Sequence, residues 1–169
     1  SAKIWRVNNN AGVVADFTTF TAAVASASVV NGDTIHLEPS ATSYGGAGTL
    51  AKRLVVIGVG YFLDPANTTT PFNTGLQAAT QDCKLDSFRI GSGANNSKFI
   101  GVTLQGSIYF NVARNISFEK VYFPAGVYFE NGTNDAASFR KCFFNNSATI
   151  SSAATAVITN FVCENIIFY

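Results

Sequence analysis

The sequence predicts an all-β chain folded as a parallel β-helix, a solenoid of stacked coils, with an α-helix covering its N-terminal end. Two observations predict the solenoid and a third predicts the cap. An apolar triplet of fixed spacing recurs four times in the second half of the chain. An alternating apolar pair follows it at regular intervals, with only short Gly-, Asn-, Ser- and Ala-rich segments between. A single amphipathic stretch near the N-terminus has the helical period instead.

The triplets are Phe99-Val102-Leu104, Phe118-Val121-Phe123, Phe139-Cys142-Phe144 and Cys163-Ile166-Phe168, with leading members 19, 21 and 24 residues apart. The pairs are Ile108 with Phe110, Val127 with Phe129, and Ala148 with Ile150, and Phe88 with Ile90 reads as an earlier copy. A unit of about 20 residues cannot bury its own apolar face. Such units stack, each strand pairing with its counterpart one turn later at about 4.8 Å. Like residues then form columns, and stacked aromatic rings account for 15 Phe in so short a chain. Three residues ahead of the leading column stand Asn96, Asn115, Ala136 and Asn160. They read either as a partial asparagine ladder at a sharp corner or as coincidence in an Asn-rich chain.

In the first half, Asp16 reads as an N-cap, with Phe17, Phe20 and Val24 on one helical face and Asn31-Gly32 as the stop. Thr34 to Glu38 alternates as a strand with Ile35 and Leu37 on one side. Pro39 to Gly48 is turn-rich, and Leu54 to Val59 is an apolar β-type run. The chain is expected to be one domain over residues 1–169. Residues 1–50 hold the cap helix and first strands; residues 51–169 hold the stacked coils, with an irregular excursion at 64–82.

Composition narrows the function. Of the 169 residues only 12% are charged, against roughly a quarter in an average soluble domain. Hydrophobic residues make up 47%, which excludes a disordered chain. The formal net charge of +1 supplies no basic surplus for phosphates, so no nucleic-acid partner is expected. No apolar run reaches a membrane span, and no signal-peptide pattern opens the chain. A start at Ser1 with no Met suggests a mature or trimmed product. Cys83, Cys142 and Cys163 form no CxxC pair, so neither a zinc nor a redox site is expected, and Cys142 and Cys163 read as small buried hydrophobes. Five glycosylation sequons, at Asn67, Asn95, Asn115, Asn131 and Asn145, carry no function in a chain of this composition.

The opening IWRVNNNAGVVADFTTFTAAVASASVVNGDTIHLEPSATSYGG, followed by LAKRLVVIGVGYFLDP, resembles the start of secreted β-helix repeat proteins of Bacteroidetes-type bacteria. The whole chain resembles a right-handed parallel β-helix of the pectin-lyase-like superfamily. The resemblance is strong over about residues 4–65 and rests on pattern beyond. It implies right-handed winding, secretion or surface display, and a helix over the open N-terminal end. Members range from polysaccharide lyases to surface proteins without chemistry, so it implies no particular activity.

Candidate chemistry is sparse. A β-helix lyase needs calcium-holding carboxylates beside an Arg or Lys base, and a hydrolase needs converging acids. On the repeat grid Arg140 falls between Glu119 and Glu164 on the outer surface, either as an ion-pair ladder or as an acid–base cluster. Asp64, Asp82 and Asp86, with Lys84, offer a cation site only if the excursion folds back. His36 is the one histidine and points outward without a partner. No metal and no cofactor are expected. The outward aromatic residues carry more promise. Thr103, Tyr122, Phe143 and Ile167 alternate with one pair of columns, while Tyr109, Tyr128 and Thr149 alternate with the other. Tyr122, Phe143 and Ile167 read as an exposed apolar stripe, covered by a packing or terminal segment, by a partner chain, or by sugar rings. Tyr122, Phe143, Tyr109 and Tyr128 are the candidate ligand-contact residues. The last coil ends in Ile166 to Tyr169 without a cap, so a longer protein or self-association is expected there. The reading is a non-catalytic secreted or cell-surface module for adhesion, assembly or carbohydrate contact. The alternative is a polysaccharide lyase or glycoside hydrolase acting on an acidic polysaccharide.

Overall fold

The computed structural model describes residues 2–60 and 81–169. The expected excursion at 64–82 lies outside them except for its last two residues, and so does Asp64. The strand β1 (Ile4–Val7) is followed by the helix α1 (Phe20–Ala25), then by β2 (Thr34–Leu37), β3 (Gly48–Leu50) and β4 (Val55–Ile57). Next come β5 (Lys84–Leu85), β6 (Phe88–Ile90), β7 (Lys98–Ile100), β8 (Thr103–Leu104) and β9 (Ile108–Phe110). The following coil holds β10 (Ser117–Glu119), β11 (Tyr122–Phe123), β12 (Val127–Phe129) and β13 (Gly132–Asp135). The last strands are β14 (Ser138–Arg140), β15 (Phe143–Phe144), β16 (Ile150–Ser152), β17 (Ala156–Thr159), β18 (Val162–Glu164) and β19 (Ile167–Phe168).

These strands build a parallel β-solenoid of about 5 turns. Among the described residues the first sheet runs β1-β2-β4-β7-β10-β14-β18, the second β5-β8-β11-β15-β19, and the third β3-β6-β9-β12-β16. Strands β13 and β17 add a two-stranded sheet beside the last coils. All three expected columns form. Phe99, Phe118, Phe139 and Cys163 are in register. Val102, Val121 and Cys142 are buried below them, and Phe123, Phe144 and Phe168 continue the third column from Leu104. The rings stack face to face: Phe99 on Phe118 at 5.1 Å, Phe118 on Phe139 at 5.0 Å, and Phe123 on Phe144 at 4.5 Å. Ile35 and Val56 extend the leading column towards the N-terminus.

Two expectations on the grid need correction. The fifth-coil pair is Ile150 with Ser152, since Val127 pairs with Ile150 and Phe129 with Ser152. The corner between Phe144 and Ile150 is two residues longer than that between Phe123 and Val127, which moves the inward pair from Ala148–Ile150 to Ile150–Ser152. The outward partner of Tyr128 is accordingly Ser151, not Thr149. Cys142 is buried, as expected, but Cys163 is exposed: it occupies the leading column in a coil that no further layer covers.

The N-terminal segment also differs from expectation. The helix is only Phe20–Ala25, and its N-cap is Thr19, whose Oγ1 accepts from Ala22 N at 3.0 Å. Phe17 is not helical. It bridges to Val7, donating its N–H to Arg6 O and accepting from Asn8 N. Asp16 instead accepts from Arg6 N at 2.8 Å. Pairing of residue 17 to β1 competes with helix and moves the helix start to the next capping residue. Phe20 and Ala23 are buried, and Phe20 meets Phe88 at 5.8 Å. Asp33, 1% exposed, accepts from Lys3 N, Trp5 Nε1 and Val30 N and so ties this segment to β1. Tyr44, in the expected loop, is fully buried with its hydroxyl donating to Glu38 O.

The corners explain the asparagines. Asn96, Asn115, Ala136 and Asn160 all have positive φ, at 67°, 53°, 53° and 50°. Asn115 Nδ2 donates to Asn96 Oδ1 at 3.1 Å, one true rung of a ladder. Ala136 breaks it, and Asn160 turns to Asp135 Oδ1 at 2.8 Å instead. Asn tolerates the left-handed conformation better than Ala, which has no amide to offset it. Ala136→Asn is therefore expected to stabilise the chain by roughly 0.5–1 kcal/mol, read as a higher urea midpoint with unchanged slope. An unchanged or lower midpoint contradicts this account of the corner.

Candidate functional site

The outward positions of the third sheet place a tyrosine pair on an open face. Arg89, Tyr109 and Tyr128 stand in register on β6, β9 and β12, each between two inward apolar residues. Alternation along a strand turns all three away from the core. Tyr109 and Tyr128 are half-buried, with ring centroids 6.0 Å apart and planes at 65°. The Arg89 guanidinium lies 5.9 Å from the Tyr109 ring centroid.

Arg89 reaches past the next strand to Glu130, which follows β12. Its Nε and Nη2 donate to the two carboxylate oxygens at 2.5 and 2.6 Å. This bidentate pair, with its hydrogen bond and charge, holds the Glu130 carboxyl below the ordinary glutamate range against the opposing effect of burial, with Asn111 adding in the same direction. Two shallow depressions flank Tyr128. One, of about 370 Å³, is lined by Ser107, Tyr109, Tyr128, Ser147, Thr149 and Ser151 together with the Pro124–Val127 corner. The other, of about 390 Å³, is lined by Arg89, Asn111, Tyr128, Glu130, Asn131 and Ala153.

Of the four candidate residues the structure brings Tyr109 and Tyr128 together and places Tyr122 and Phe143 on another face. Thr103, Tyr122, Phe143 and Ile167 are in register on the second sheet, as the spacing requires. They do not form an exposed stripe. Phe143 is 1% and Thr103 3% exposed, while Ile167 is open. Tyr122 lies against Phe143 at 5.5 Å, and the terminal Tyr169 lies 6.3 Å away on its other side. An outward side chain can thus be buried by what lies over its face, which alternation along the strand does not reveal. Arg89 and Glu130 were absent from the candidate set. Extending the pair grid back to Phe88-Arg89-Ile90 places Arg89 in the tyrosine slot, and Glu130 follows Phe129 as Asn111 follows Phe110.

The other candidates resolve into ion pairs and hydrogen bonds. Arg140 does sit between Glu119 and Glu164 in register and pairs with Glu164 on an exposed surface. Asp82 accepts from Thr103 Oγ1 and lies 3.6 Å from Lys84. Asp86 accepts from Ser43 Oγ and Gln105 Nε2. His36 stands between Arg6 and Ile57 on the first sheet. Among the described residues no three His, Cys, Asp or Glu side chains gather closely enough to hold a metal ion, and no helix is long and apolar enough to cross a membrane.

The depressed Glu130 carboxyl gives a pH signature. Its pairing with Arg89 adds stability that is fully present above the ordinary glutamate value of about 4.3 and is lost as pH falls through the lower folded value. The melting temperature of the wild-type chain should therefore exceed that of Glu130→Gln by a constant margin from pH 7 to about 5, and the two should converge only as pH falls below the depressed folded value. A margin that persists in acid would mean that the ion pair does not contribute. No protein-family model, curated protein or solved structure matches the chain.

Proposed function

We propose that the chain is a non-catalytic β-helix module, secreted or displayed on a bacterial surface, that contacts carbohydrate through the outer face of its third sheet. The observation that carries this reading is the outward Tyr109–Tyr128 pair set between two polar depressions. A pyranose ring presents an apolar C–H face that suits the electron-rich face of a tyrosine, while its hydroxyls need convergent polar groups at the rim. Both requirements meet at Tyr128. The right-handed, pectin-lyase-like assignment is supported by the resemblance of the opening residues and by the strong general preference for right-handed parallel crossovers. In the same reading α1 closes the N-terminal end of the coil, consistent with the burial of Phe20, Ala23 and Val29.

A glycan array probed with the wild-type chain and with Tyr128→Ala tests the proposal. Signals on a defined set of glycans, lost in the variant, are expected. Binding that survives the substitution overturns the assignment to this face. Unsaturated product from polygalacturonate with calcium, followed by ultraviolet absorbance, would replace the binding reading with the lyase alternative.

A second reading, self-association, is supported by the last coil. Val162, Ile167, Phe168 and Tyr169 are 38%, 58%, 63% and 64% exposed, an apolar layer suited to another parallel coil. Light scattering is expected to show a mass that rises above 17.9 kDa with concentration. A mass fixed at that value throughout contradicts it.

A further inference from the structure

The third-sheet face is polar but carries its charge internally neutralised. Among the residues lining its two depressions, Arg89 and Glu130 are the charged ones, and each satisfies the other through two short hydrogen bonds. The remaining polar lining consists of serine and threonine hydroxyls on one side of Tyr128 and asparagine amides on the other. These groups both donate and accept, as neutral sugar hydroxyls do. A uronate carboxylate would meet no uncompensated cation there. It would also lie near Glu130 and would have to break the bidentate pair to reach Arg89.

The placement of the depressions gives the ligand a direction. One lies at the N-terminal ends of β9, β12 and β16, the other beyond the C-terminal ends of β9 and β12, and Tyr128 lines both. A three-residue strand spans about 10 Å, the scale of a short oligosaccharide segment.

Resting on the carbohydrate-contact reading, we infer that the ligand of this face is a neutral oligosaccharide segment. It crosses Tyr128 along the strand direction, transverse to the solenoid axis, and the Arg89–Glu130 pair excludes acidic polysaccharides. Tyr109 supplies a second ring one coil away, and Glu130 and the asparagines accept and donate to hydroxyls at one end.

Titration of the tyrosine-labelled chain followed by NMR of the ring resonances tests this, with six tyrosines to assign by Tyr→Phe variants. The probes are cellohexaose, mannohexaose and hexagalacturonate at low salt. The expected result is that at least one neutral hexasaccharide shifts the Tyr109 and Tyr128 rings and binds at least ten-fold tighter than hexagalacturonate. Tyr128→Ala removes this binding; Tyr128→Leu, which keeps more volume without a ring, replaces it if the alanine variant does not fold. Glu130→Gln, which leaves the Arg89 charge uncompensated, lowers the neutral-to-acidic ratio at least three-fold. Binding of hexagalacturonate at the same rings with a smaller disadvantage, or with an advantage, overturns the neutral preference and leaves the carbohydrate reading standing. A ratio unchanged in Glu130→Gln overturns the role of the ion pair. If no probe shifts either ring, the carbohydrate reading itself fails and this inference with it.

Discussion

The fold depends on one constraint: parallel strands in successive coils hold equivalent residues directly above each other. Backbone pairing fixes the separation near 4.8 Å, close to the distance at which two aromatic rings stack. The phenylalanine ladder takes advantage of that match. Phe99, Phe118 and Phe139 lie nearly parallel, as do Phe123 and Phe144, and Phe118 and Phe139 also touch the neighbouring column through Phe123. Each ring fills the interior for its own coil and forms part of the walls for the next. Burial of one such ring is worth about 1.5–3 kcal/mol, so the column is a large share of what offsets chain entropy in a molecule with little helix. Because each coil meets mainly its neighbours, the register of one strand pair sets that of the next.

A second constraint lies at the corners. Each coil must turn sharply twice within a few residues of β7, β10, β14 or β18, and the turning residues adopt the left-handed conformation. One corner holds Asn96, Asn115, Ala136 and Asn160. The other holds Gly101, Lys120, Lys141 and Asn165, with φ between 53° and 63°. Gly and Asn suit that conformation, whereas Lys120 and Lys141 adopt it with their own backbone N–H groups tied into the next coil, Lys120 N donating to Arg140 O and Lys141 N to Glu164 O. Position rather than residue preference therefore dictates the backbone at the second corner. Corners elsewhere absorb length: the longer turn before Ile150 and the added strands β13 and β17 enlarge the coil without disturbing the phenylalanine columns.

The sequence made the inner side of this architecture legible because inward residues repeat with a fixed chemical identity. Column membership could be read from Phe99, Phe118 and Phe139 alone, and the place of Arg140 between Glu119 and Glu164 followed from the same grid, the ion pair forming to Glu164. The grid lost accuracy where a corner changed length, so Ala148 was assigned inward in place of Ser152. It gave no register before residue 85, because the Pro-, Asn- and Thr-rich stretch at 64–82 interrupts the sequence pattern. The helix was overextended because Asp16 and Phe17 have an acceptable capping and amphipathic pattern, yet the edge of β1 offers Phe17 backbone partners that a local pattern cannot show. The candidate site was half legible. Tyr109 and Tyr128 were found from alternation, while Arg89 and Glu130 come together from residues 41 apart in sequence and only through the stacking of coils.

The contrast between the two tyrosine-bearing faces explains why outward position and exposure separate in a solenoid. Alternation decides only whether a side chain leaves the tube. Whether it then meets solvent depends on what lies over that face. On the second sheet, Phe143 is buried with aromatic rings on both sides, and its neighbour Tyr122 has its hydroxyl pKa raised by burial first and by Asp82 second. On the third sheet the tyrosines alternate with a charged residue in the same slot, Arg89, and an arginine in that register requires either water or a carboxylate within reach. Glu130 supplies the carboxylate from two coils away, which lays the arginine stem across the face and sets its guanidinium beside Tyr109. The ion pair and the tyrosine face are thus one arrangement: the same geometry that neutralises Arg89 leaves Tyr128 half-buried between two depressions that it lines on both sides.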